Sequence, residues 1–348
     1  MTEPKRDILV HFDYFRAFAI LFVVTGHCYG DWTLDTVGEI VLADLLTGGS
    51  ALFVFVSGFF FQHLFNRNFD YRRFLQKKSR NVLQPYLVLM TAYLALVLLV
   101  KGAITFPVSL GAGAGADAAL AVALNVLTGA SLTAYWYVPF IMLVFLASPL
   151  FRAMARQGDV TVLALVLTGL SAAMYIERPM QNLNPFHSLL YFAPFYLAGI
   201  LYAKRADQVN DWIDRNLLAL VAGLAAILLH MANEGQVGNI LKASPFAPLE
   251  HLDYMVPQKA LLILVLIGLT RRLARHPIPW LSYLAGISFP LFFIHPWALL
   301  LQDKLIADHF TGFPGFLART MFVILLSLLT IRVLKARLGS RSRLLMGG

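Results

Sequence analysis

Cysteine occurs once in the 348 residues, at Cys28, so an internal disulfide and every CxxC-type redox or metal motif are excluded. Charge is scarce: Asp, Glu, Lys and Arg make up 14% of the chain against 59% hydrophobic residues. No set of His, Cys, Asp or Glu has the spacing of a zinc site, so no bound metal is expected. The glycines of "GAGAGA" at 111–116 are not followed by the Gly-Lys-Ser/Thr ending of a phosphate loop. No polar stretch is long enough to stand apart as a soluble domain. The formal charge of +9 has no basic stripe interleaved with aromatics beneath it, so no nucleic-acid partner is expected.

What the sequence has in abundance is long apolar runs, and its mean hydropathy is +0.69. Ten runs approach the ~20 residues that cross a bilayer: 9–29, 45–65, 82–100, 134–151, 160–176, 187–203, 216–232, 257–270, 280–301 and 316–334. The fold class expected is an all-α polytopic membrane protein of ten transmembrane helices, one domain over 1–348. The first run carries Asp13 and Arg16 and lacks a small-x-small cleavage site, so it reads as a retained helix. The stretch 117–130 is short and rich in Ala and Gly, and is expected outside the membrane or re-entrant.

Lys and Arg accumulate in cytoplasmic loops. With ten spans and both termini cytoplasmic, 21 of them fall inside and 6 outside, and Arg16 lies within a span. Making 117–130 a full span inverts every later loop and destroys that asymmetry.

The first run, "DYFRAFAILFVVTGHC", holds ions where lipid-compatible residues are the rule. Arg16 and His27 are eleven residues apart, about 20° from eclipsed and about 16 Å apart along a helix axis. Asp13, one turn before Arg16, can pair with it. Asp31, one turn after His27, is placed to accept its Nδ1–H. An arginine in a span faces a bundle interior or a cavity as a rule. A polar stripe of this kind suits a cytoplasmic donor with anionic groups, docked at Arg16 and the basic loop 67–80. His27 then takes a proton from a hydroxyl on the far side. Acyl transfer from acyl-CoA inside to a sugar hydroxyl outside has this geometry.

Six blocks in order carry a resemblance to a known family. "FDYFRAFAILFVVTGH" resembles the opening helix of the acyltransferase 3 family of integral-membrane O-acyltransferases, its Arg-x10-His motif matched by Arg16 and His27. "ALFVFVSGFFF" at 51–61, "KKSRNVLQPYL" at 77–87, "YWYVPFIMLVFLASPLF" at 135–151, "YFAPFYLAGILYAK" at 191–204 and "ISFPLFFIHPWALLL" at 287–301 resemble later blocks. The family differs at 77–80, where many members carry more arginines than Lys-Lys-Ser-Arg. The resemblance implies acetyl or another acyl group moved from acetyl-CoA or another acyl-CoA to a glycan or lipid-linked saccharide. It also implies O-acetylation of a surface polysaccharide, a bacterial inner-membrane location, and no permanently bound cofactor. A homo-oligomer is left open. His27 acts either as general base or as a transient acyl carrier. Lys77, Lys78, Arg80, Arg72 and Arg73 are implied in donor binding with Arg16 and Asp13.

Other residues have two readings each. Ser57, before Gly58, is a cavity residue or part of a close helix packing. Trp136 and Tyr137 are interfacial anchors or a sugar-stacking platform. His295 lines the cavity or bonds a carbonyl freed by Pro296. Glu250, His251 and Asp253 are candidates for acceptor contact. The rival function is a secondary transporter or a polysaccharide-export component, since transporters also place ions along a pore. No two-half symmetry favours it.

Overall fold

The computed structural model describes residues 3–29, 32–106, 114–249, 251–305 and 311–347. The described chain is helical nearly throughout. Its helices are α1 Glu3–Gly26, α2 Val37–Leu46, α3 Ser50–Phe60, α4 Tyr71–Lys78, α5 Gln84–Lys101, α6 Ala114–Thr128, α7 Tyr137–Leu146, α8 Ser148–Ala155, α9 Asp159–Ile176, α10 Pro185–Lys204, α11 Ala206–Asn233, α12 Met255–Leu273, α13 Pro279–Leu305, α14 Gly312–Leu338 and α15 Arg343–Met346. The only strands among the described residues are β1 Arg178–Pro179 and β2 Leu241–Lys242, paired in parallel.

All ten apolar runs fall on helix. Among the described residues seven helical stretches are long and apolar enough to cross a membrane, or eight if the pair α7 and α8 is one broken span. The two remaining runs lie on α1, which carries Asp13 and Arg16, and on α12, which carries Lys259, Arg271 and Arg272. An all-α polytopic membrane architecture follows.

Three runs differ in detail from the sequence expectation. The second begins at Val37, where Thr36 caps the helix and Glu39 closes a capping box. It breaks at Thr47–Gly49 and resumes as α3 and a π-helical turn, Phe61–Phe65. The break is steric: a Cβ on Gly49 would lie 3.0 Å from the Val23 nitrogen on α1, and Gly48 has φ +70°. The fourth run starts at Tyr137 and bends by 57° between α7 and α8, where Pro149 removes a helical donor. The stretch 117–130 lies mostly on α6, whose 15 residues fall short of a span.

Packing is set by small residues and aromatic rings. A Cβ on Gly58 would lie 2.0 Å from the Tyr196 carbonyl oxygen, and one on Gly199 would lie 2.0 Å from that of Phe55. These reciprocal glycines let α3 and α10 touch backbone to backbone. Phe12, Phe15, Phe55, Phe59 and Tyr202 fill the neighbouring space, with Phe12 and Phe59 stacked at 3.6 Å. Against α3 and α12 lies α1, whose polar face meets α13.

The long connections meet at the His27 end. There the β1–β2 ladder joins the α9–α10 and α11–α12 connections. Buried Glu177 and Lys242 pair across it at 3.6 Å, and Lys242 also donates to the Tyr175 carbonyl. Buried Lys259 donates to the Asp44 and Leu45 carbonyls at the end of α2, as cations do at helix C-termini.

Gly58→Ala adds one carbon against an immovable backbone and is expected to lower stability by about 1–3 kcal/mol. Gly223→Ala, whose Cβ meets nothing nearer than a Leu261 methyl at 3.8 Å, should leave it unchanged. Thermal unfolding of the two variants in detergent checks the contrast.

Candidate functional site

The site is built between α1 and α13. Arg16 Nη1 donates to Asp13 at 3.2 Å, as the one-turn spacing predicts. Its Nη2 donates to the Ala285 carbonyl at 2.5 Å and to Ser288 Oγ at 3.2 Å, and the guanidinium lies 5.8 Å from the centre of the Phe60 ring. Ser288 in turn bonds Ala285. The arginine therefore faces the bundle.

His27 meets the same helix further along. It stands one residue past the end of α1, and its Nδ1 lies 3.2 Å from His295 Nε2, the rings nearly parallel at 16°. His295 is fully buried and its Nδ1 lies 3.0 Å from the Leu291 carbonyl. It also lies against the Phe292 carbonyl, whose helical donor Pro296 removes. Of the two readings of His295, the backbone bond is the one present; the ring is not in the lining of the His27 cavity and meets it through His27. A carbonyl only accepts, so His295 carries its hydrogen on Nδ1 and presents a lone pair at Nε2. With both rings neutral, His27 must donate from Nδ1 to that lone pair. This leaves His27 Nε2 as the free basic nitrogen. Asp31 lies outside the described residues, and the Nδ1–H assigned to it is held by His295.

His27 lines a polar cavity of about 520 Å³. Thr47, Ser50, Ser131, Thr133, Asn182 and Asn239 supply hydroxyl and amide groups, and Arg178 supplies a cation. Sequence reasoning missed Arg178, which looked like an ordinary loop charge. Its Nε donates to Asn182 and its Nη1 to Asn239, both at 2.8 Å. Its guanidinium lies 4.6 Å from the centre of the Trp136 ring. Burial pulls its pKa below the ordinary arginine value, and Tyr191 and Asp253 oppose that. Trp136 is buried, stacked near Phe140 and Phe192, so its ring serves as a seat for Arg178.

Asp253 stands behind this cation. Burial pushes its carboxyl pKa up, and four donors offset the cost: Tyr191 Oη, Asn239 Nδ2, Gln236 Nε2 and the Met255 amide. It faces the core, not an acceptor. His251 lines a different cavity, and Glu250 lies outside the described residues.

A second, small cavity of about 70 Å³ lies deeper, lined by Ser57, Lys78, Tyr137, Phe289 and Phe292 among others. Ser57 bonds the Tyr137 hydroxyl, so it is the neighbouring Gly58 that makes the helix contact. Lys78 turns inward, 4.5 Å from the Phe145 ring centre. Arg72, Arg73, Lys77 and Arg80 stay exposed, Lys77 against Phe65. The two cavities share no lining residue. Tyr137 and Phe292, both lining the smaller cavity, meet at 5.5 Å, and Phe292 lies 6.1 Å from His295.

The model of the acyltransferase domain family matches residues 9–332, taking in both cavities and all of α13. The chain belongs to the acyltransferase 3 family. No curated protein matches the chain, and no solved structure does. Membership makes this a membrane acyltransferase in general terms, and the Arg16 and His27 of the family motif both bond α13.

Asp253→Asn would turn an amide NH2 toward two donors whichever way it flips. It is expected to cost about 1–3 kcal/mol despite removing a buried charge. A lower unfolding temperature with the Asp253→Asn protein checks it, and an unchanged one contradicts the four-donor assignment.

Proposed function

We propose that this protein moves an acyl group, acetyl as first choice, from acyl-CoA to a hydroxyl of a carbohydrate acceptor held in the His27 cavity. The observation that carries this reading is the His27–His295 pair, which leaves one unprotonated imidazole nitrogen on a cavity rich in hydroxyl and amide groups. The charge bias of the loops supports ten spans with both ends in the cytoplasm and His27 toward the outer face, and the family resemblance suggests a bacterial inner membrane as the location. The acceptor then comes from outside and the donor from inside. Arg16, Lys78 and the exposed basic side chains of α4 suit the phosphates of a nucleotide thioester.

The chemistry follows from the tautomer. The acceptor oxygen attacks the thioester carbon, and its proton passes to His27 Nε2. His295 Nε2 accepts from Nδ1 and steadies the imidazolium. The tetrahedral species expels the thiolate, which takes the proton back. Alternatively Nε2 itself attacks the thioester carbon and expels the thiolate, giving an acyl-imidazole; the acceptor oxygen then breaks the C–N bond, and its proton goes to the thiolate. A donor that reaches His27 by way of the small cavity passes Tyr137 and Phe292, and a short acyl chain passes most readily.

His27→Ala is expected to lose acyl transfer by about 100-fold or more, the usual scale of general-base catalysis, while the protein stays in the membrane. Mass spectrometry of surface glycans and assay of the purified protein with labelled acyl-CoA check it. Retained acylation with lost solute uptake would point to a transporter instead. His295→Gln keeps an acceptor near His27 Nδ1 but changes its basicity. It should fall less than His27→Ala and shift the pH profile of kcat, whereas a purely structural role would leave that profile in place.

A further inference from the structure

Resting on the acyl-transfer reading, we propose that the acceptor carries an anionic group, a carboxylate or a phosphate, near the hydroxyl that is acylated, and that Arg178 binds it. Among the described residues lining the His27 cavity, Arg178 is the one lysine or arginine, and no carboxylate lines it. Its hydrogen bonds go to two neutral amide oxygens, those of Asn182 and Asn239. The nearby acids are engaged elsewhere. Glu177 pairs with Lys242. Asp253 is enclosed by its four donors; its hydrogen-bond link to Arg178 runs through Asn239, and its charge acts on the guanidinium through space without a direct contact.

The guanidinium is also held still. Two hydrogen bonds and the Trp136 face fix its plane, and a preorganised fork loses little freedom when it takes an anion. The backbone carries strain to put it there. Glu177, Gln181 and Asn182 have φ of 57°, 52° and 57°, and Ala134, which also lines the cavity, has 69°. Non-glycine residues in this region cost free energy and cluster at ligand sites. A guanidinium also bonds neutral hydroxyls, but an anion adds charge assistance to the same donors. When His27 takes up a proton, imidazolium and guanidinium face one cavity as like charges. An anionic substituent between them relieves that repulsion.

The test uses the full-length wild-type protein in detergent and needs no acyl transfer. Arginine is modified with phenylglyoxal in the presence of glucuronate, inorganic phosphate or glucose, with sodium chloride balancing ionic strength, and peptide mass spectrometry follows Arg178. Exposed Arg72 serves as the reference. At about twice its Kd, an anion bound at Arg178 slows its modification about threefold, while glucose does not and Arg72 is unaffected. Protection by neither anion, equal protection by glucose, or no modification of Arg178 at all would overturn the proposal. As a second measure, glucuronate should raise the unfolding temperature of wild type, less so of Arg178→Lys, and not of Arg178→Gln. Equal shifts in all three would also overturn it. If Arg178→Gln does not fold, the labelling of wild type decides alone. A protected Arg178 in a protein that transfers no acyl group would end the acyltransferase reading and leave the anion site. Acyl transfer with an unprotected Arg178 would do the reverse.

Discussion

A guanidinium largely withdrawn from water must recover its hydrogen bonds, and Arg16 recovers them from Asp13 on its own helix and from Ala285 and Ser288 on α13. Its contacts with the Ala285 carbonyl and Ser288 fix both the rotation of α1 and its height against α13. The same two helices meet again at His27 and His295, seven residues beyond Ser288. That is about two turns, or roughly 10 Å. The polar stripe of α1 thus acts as a register mark. Once the arginine is seated, the imidazole pair is in place, and the cavity forms beside it from four connections.

Much of this was legible in the sequence, for physical reasons that differ by residue. Period and length revealed the apolar runs, because a bilayer imposes its thickness on every helix. The pairing of Asp13 with Arg16 was readable from one-turn spacing alone. The shared face of Arg16 and His27 was readable as well, although the helix ends one residue short of His27. The breaks were not. Gly48 and Gly49 signal a turn only once α12 and α1 are known to press against them, and Pro149 signals a bend only where it stands within a run.

The cavity shows where local reading stops. Arg178 and Trp136 are 42 residues apart, and nothing in the spacing says that one sits on the ring of the other. Asp253 looked exposed because it lies in a long polar connection, yet that connection folds inward to bring it four donors. His295 was half legible: Pro296 beside it announced a freed carbonyl, but its second contact depends on a different helix. Contacts made within one turn were readable, and contacts made between connections required the fold.

The Tyr137–Phe292 contact at the small cavity bears on the cell as a whole. A duct wide enough for a thioester and open from face to face would short-circuit the proton gradient of any energised membrane. A cavity of about 70 Å³ walled by two aromatic rings in contact offers hydrated ions little room. On the proposed acyl-transfer route, those rings would serve as electrical insulation at rest and yield only to a small cargo.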